Sequence, residues 1–128
     1  VPDFDFADWE RTYRGLLDRA RQANPALKIV LCTPFAAPCG KIVEGALGEY
    51  YPLRQRILAQ CCVIVERIAA DYGATLVPFH RLIADLETRL PNGDATYWVW
   101  DGIHPTPAGQ RLMADCWIGA AARNGVME

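Results

Sequence analysis

Two short runs of strand-forming residues stand between much longer stretches of helical periodicity, and this imbalance limits what the chain can fold into. Lys28–Thr33, ended by Pro34, is almost wholly apolar and β-branched where it counts, which predicts a parallel strand buried on both faces. Ala74–Pro78 predicts a second strand of the same kind. Phe6, Trp9, Tyr13, Leu16, Leu17 and Ala20 recur at three- and four-residue spacing, so a helix is expected from about Asp5 to Ala23, stopped by Asn24-Pro25. Leu53, Ile57, Cys61, Ile64, Ile68 and Tyr72 mark one face of a second helix over Pro52–Tyr72, with Gly73 as its C-cap. A third helix is predicted over His80–Leu90, followed by a turn at Pro91–Asp94. The last helix opens at Thr106-Pro107, with Thr as N-cap and Pro in the first helical position. Its expected inner face is Ala108, Leu112, Cys116, Trp117 and Ala120. Between the first strand and the second helix, Pro34–Gly48 is rich in Pro, Gly and Ala without a period, and is expected to be a long functional loop.

The order helix, strand, loop, helix, strand, helix, loop, helix is that of an α/β fold with a parallel sheet flanked by helices. Two strands do not cover four amphipathic helices. Since a strand–helix unit takes roughly 30 residues, three further strands need on the order of 90 more. Residues 1–128 are therefore expected to form the C-terminal part of one larger domain whose N-terminal strands are missing from this chain. The alternative is that a second polypeptide, or a second copy, pairs with the sheet edge to complete the core.

Charge and cysteine usage exclude several functions. The net charge is −2 and the 13 Lys and Arg are scattered, which gives no basic stripe for nucleic acid. No apolar run approaches the roughly 20 residues of a membrane span. The five cysteines contain no C-x-x-C pair, and adjacent Cys61 and Cys62 are poor disulfide partners. They read as small buried hydrophobes kept reduced, which points to a cytoplasmic setting.

The residues that carry chemistry are Asp101 and His104, three apart in a tight stretch holding Gly102, Pro105 and Pro107. A carboxylate there can accept a hydrogen bond from one imidazole nitrogen, fix the tautomer and leave the other nitrogen as a general base. On spacing alone, an Asp capping a turn and a His packed beside Trp98 or Trp100 is an equally open reading. Phe35, Tyr50, Tyr51, Trp98 and Trp100 are candidates for an apolar or sugar-stacking substrate wall, with ordinary core packing as the other possibility.

The run Tyr97–Gly109, with Asp101-Gly102-Ile103-His104-Pro105-Thr106 at its centre, resembles the last motif of the SGNH (GDSL) hydrolase family. Phe6–Leu17 is similar to the helix after that family's third motif, Lys28–Phe35 to the strand and Pro-Phe that follow, and Tyr72–Phe79 to its last strand. The resemblance implies a three-layer α/β/α, flavodoxin-like fold. It also implies hydrolysis of acyl or acetyl esters by a Ser-His-Asp triad with no cofactor or metal, Asp101 and His104 being the acid and base. A small ester, such as an acylated sugar, is the implied substrate. The chain departs from the family where the nucleophile and oxyanion donors belong. It contains no serine at any position and no G-x-N-D segment, and Val1–Asp5 looks like the stretch just after one. Gln110 stands where many relatives carry a second histidine.

Three other readings stay open. Cys39 on the long loop would make a Cys-His-Asp hydrolase with the same dyad. His80 with Asp101 and His104 would make a metal site, although its place at a helix start suits a capping or surface role better. A binding or self-associating module without catalysis fits the absence of a nucleophile.

Overall fold

The computed structural model describes residues 4–90 and 95–127. The turn expected at Pro91–Asp94 lies outside the described residues. Helix α1 spans Phe6–Ala23, β1 Val30–Cys32, α2 Gly45–Glu49, α3 Tyr51–Asp71, β2 Thr75–Val77, α4 Phe79–Arg89 and α5 Pro107–Arg123. The four long helices and both strands fall where the periodicity places them. The stretch expected to be loop is partly ordered, with a 3-10 turn at Gly40–Val43 running into α2. It escapes a periodicity argument because each piece is too short to show a face.

Strands β1 and β2 pair in parallel, with Val30 opposite Thr75 and Cys32 opposite Val77. Leu31 and Leu76 point to one face of this sheet, where Ile64, Val65, Ile68 and Ala69 of α3 meet them. Helix α1 lays Phe6, Trp9, Tyr13 and Leu17 on the same cluster. An ion network ties the two helices together: Arg14 bonds Asp71 at 2.7 Å and Glu10 at 2.9 Å, and Arg67 also reaches Glu10. Thr75 and Val77 alternate to the opposite face, where α5 packs. The architecture is thus α/β, with helices on both faces of a small parallel sheet.

The buried face of α3 is wider than the sequence stripe, adding Cys62, Val65 and Ala69. On α5 the fully buried residues are Gly109, Ala120 and Ala121, whereas the expected Leu112, Cys116 and Trp117 are half-buried. Gly109 is buried because a Cβ there would lie 2.1 Å from the Trp98 carbonyl oxygen. None of the five cysteines is paired in a disulfide among the described residues. No helix is long and apolar enough to cross a membrane, among the described residues.

Candidate active site

The Asp101–His104 segment is the tip of a narrow hairpin. Its stem is an antiparallel bridge between Val99 and Pro105, closed by Trp100 N–H donating to the His104 carbonyl at 3.1 Å. Thr106 N–H donates to the Trp98 carbonyl at 2.9 Å. The Thr106 hydroxyl then works in two directions, donating to the Tyr97 carbonyl at 2.6 Å and accepting from Gly109 N–H at 3.1 Å as the N-cap of α5. The hairpin and the helix behind it therefore share one anchor.

Within the tip, the two carboxylate oxygens of Asp101 have separate tasks. Oδ1 accepts the backbone N–H groups of Ile103 at 3.0 Å and His104 at 2.8 Å, which is a side-chain-capped turn. Oδ2 lies 2.7 Å from His104 Nδ1. The His104 backbone N–H, then its ring, then the Ile103 N–H hold the Asp101 carboxyl down at about 2. At neutral pH the carboxylate can only accept, so Nδ1 carries a proton, and in the neutral imidazole it is Nε2 that keeps the lone pair. The Asp101 side chain is 14% exposed and that of His104 67%, so the acid is sheltered and the base is presented to solvent. The Trp100 ring lies nearly parallel to the imidazole, with centroids 6.1 Å apart and planes inclined by 25°. Turn capping and imidazole orientation, set against each other by the sequence, are both made here by one side chain.

The hairpin is held from below by the segment after β1. Ala37 N–H donates to the Gly102 carbonyl at 2.9 Å, and the Cys39 thiol donates to the Val99 carbonyl at 2.9 Å. Two glycines let the backbones touch. A Cβ on Gly102 (φ +89°) would meet the Cys39 carbonyl oxygen at 2.7 Å, and one on Gly40 (φ +60°) would meet Asp101 Cα at 2.6 Å. Cys39 is buried, and its thiol supports the hairpin from beneath.

The remaining candidates divide. Phe35 and Tyr51 share a cavity of about 220 Å³ with Gln55, Cys62 and His80. Trp98 does not line it; half-buried, it packs against Ala37, Cys39, Ile83, Ala95 and Val99, and edge-on to Tyr97 at 4.7 Å. Tyr50 is exposed, and Trp100 stands over His104. His80 is half-buried on the first turn of α4. Its N–H and Nδ1 lie 3.1 Å and 2.7 Å from the Thr33 hydroxyl, and Nε2 faces Glu66 at 3.7 Å. Burial lowers its pKa. Among the described residues no three His, Cys, Asp or Glu side chains converge as metal ligands. A second, open groove of about 400 Å³ was not visible in the sequence: Ile103 of the hairpin, Phe35, Ile42, Ile57 and Leu58 line it, with Arg54. No local pattern links residues that distant.

The sequence profile of the GDSL-like lipase/acylhydrolase family matches residues 2–112, a span that includes Asp101 and His104. The chain belongs to that family. Its fold is similar to the crystal structure of a protein from Parabacteroides merdae ATCC 43184 assigned as a GDSL-like lipase, with TM-score 0.73 and 28% identity. The match covers 88% of this chain and 48% of that one, so the chain spans about half the length of this family relative. No curated protein matches it.

Proposed function

We propose that this chain supplies the acid–base half of a serine esterase site, with Asp101 orienting His104 and His104 Nε2 taking the proton of a serine hydroxyl. The observation that carries this reading is the 2.7 Å contact between Asp101 Oδ2 and His104 Nδ1, on a carboxylate already fixed by two backbone N–H groups. In the neutral imidazole this pairing puts the lone pair on Nε2, on a side chain that is 67% exposed. As the hydroxyl oxygen attacks the ester carbonyl, its proton passes to Nε2, and Asp101 stabilises the imidazolium that forms. When the acyl–enzyme forms, the same proton goes to the leaving alcohol, and water reverses the sequence to release the acid. The chain has no serine, so the nucleophile and oxyanion donors belong to residues outside these 128. The relative's greater length supports reading this chain as part of a larger domain.

The test uses a fluorophosphonate, which labels activated serine hydroxyls. The chain alone should neither label nor hydrolyse p-nitrophenyl acetate. Co-expressed with the remaining N-terminal portion of the Parabacteroides merdae relative, it should do both. His104→Ala in the assembly should then lower turnover by roughly 10³-fold or more. Labelling of the lone chain, or an assembly indifferent to His104→Ala, would overturn the proposal.

A further inference from the structure

Arg54 is the one half-buried basic side chain among the described residues that has no hydrogen-bonding or ionic partner. The other half-buried arginines are both engaged. Arg14 is held by Glu10 and Asp71, and Arg21 donates through Nη2 to the Tyr72 carbonyl at 3.0 Å, although its buried Nε has no partner among the described residues. Arg19, Arg56 and Arg123 are likewise unpaired, but they are exposed and have water. Arg54 instead sits on the first turns of α3 in the wall of the groove described above, among Phe35, Ile42, Ile57, Leu58 and Ile103. Its stem lies against hydrocarbon and its guanidinium has no counter-ion, so an anion bound in the groove would gain a charge-assisted hydrogen bond there. No acidic side chain lines the groove to supply one.

The groove also has a direction. Ile103 is the residue beside His104, and Ile42 touches the tip at Gly102. A molecule lying along it has hydrocarbon on most sides, one cation to meet, and the hairpin carrying the base at one wall. We infer that the groove takes the apolar chain of a substrate bearing a carboxylate, with Arg54 binding that carboxylate. This rests on the esterase reading and narrows it to an ester that carries an acidic group besides the ester. A carboxylate suits the site better than a phosphate monoester. The guanidinium fork matches two coplanar oxygens, and a single positive charge balances a monoanion. A dianion would need a second basic side chain, and the lining holds none.

Binding can be read without turnover, on the 128-residue chain itself. Hexanoate, hexanol and hexyl phosphate are titrated separately, with the Ile42 and Ile103 amide resonances as reporters of the groove. Hexanoate should bind at least tenfold more tightly than hexanol and more tightly than hexyl phosphate, and added salt should weaken it. Arg54→Gln should remove the preference over hexanol while leaving hexanol binding unchanged. Arg54→Lys, which keeps the charge and loses the fork, should retain part of it and keeps the test open if the glutamine variant does not fold. Equal binding of hexanoate and hexanol, tighter binding of hexyl phosphate, shifts away from Ile42 and Ile103, or a preference intact in both variants would each overturn the inference. None of these outcomes touches the Asp101–His104 pairing, and an inactive assembly would leave the carboxylate preference standing, so the two proposals fail separately.

Discussion

At the scale of single residues, the division of labour within the Asp101 carboxylate makes a sharp prediction. Asparagine keeps an oxygen that can accept from Ile103 and His104 N–H, so the capped turn survives. Its amide nitrogen can only donate toward His104 Nδ1, which must then be the unprotonated nitrogen, and the proton moves to Nε2 where the base is needed. Asp101→Asn in an active assembly should therefore fold with an unchanged urea midpoint and lose roughly 10⁴-fold in kcat. Asp101→Ala should lose both activity and part of the midpoint, because it also leaves two N–H groups of the turn without an acceptor. A pair of variants that lose stability equally would show that the turn and the tautomer are not separable. The pairing was legible in the sequence because three-residue spacing in a Gly- and Pro-bounded loop is a local constraint. The sharing of two oxygens between two tasks was not, since spacing carries no information about which oxygen faces which donor.

At the scale of elements, the Asp101–His104 hairpin depends on a segment sixty residues before Val99, where the Cys39 thiol donates to the Val99 carbonyl. Gly102 and Gly40 are where the two backbones meet. Gly102→Ala forces a side chain into a left-handed conformation and against backbone carbonyl oxygens at 2.7 and 2.9 Å, which cannot move without parting the two segments. It should cost more than about 2 kcal/mol in urea unfolding and misplace His104. Gly45→Ala is the control, because Gly45 also has positive φ (+50°) but open space around it. It should cost only about 1 kcal/mol, the conformational part alone. Similar losses in the two variants would mean that the interlock contributes nothing beyond backbone strain. The long elements were readable from periodicity, since each buries a repeating face. The ordered stretch Gly40–Glu49 was not, because its 3-10 turn and five-residue helix are each too short to carry a repeating face.

At the scale of the whole molecule, the sheet has an unused edge. The ladder between β1 and β2 runs through Thr75 N–H to the Ile29 carbonyl at 2.9 Å and Thr33 N–H to the Val77 carbonyl at 3.1 Å. Val30 and Cys32 therefore turn their N–H and C=O groups away from β2, and no backbone partner meets them among the described residues. An unpaired parallel strand with apolar neighbours is a template for another strand. The mismatch between four amphipathic helices and two strands, readable from the sequence alone, has its physical counterpart at this edge. What the edge pairs with is a matter for solution measurement. The chain by itself should self-associate, with a sedimentation coefficient that rises across the micromolar range. Val30→Pro removes an N–H that the β1–β2 ladder does not use, and a proline is tolerated on the outward side of an edge strand. That variant should keep the fold, as judged by far-UV circular dichroism, and remain monomeric over the same range. Supplying the relative's N-terminal portion should likewise suppress association of the wild-type chain, because the same backbone groups would then be occupied. A wild-type chain that stays monomeric at the highest concentration, or a proline variant that associates as strongly, would show that this edge is not the surface through which the sheet is completed.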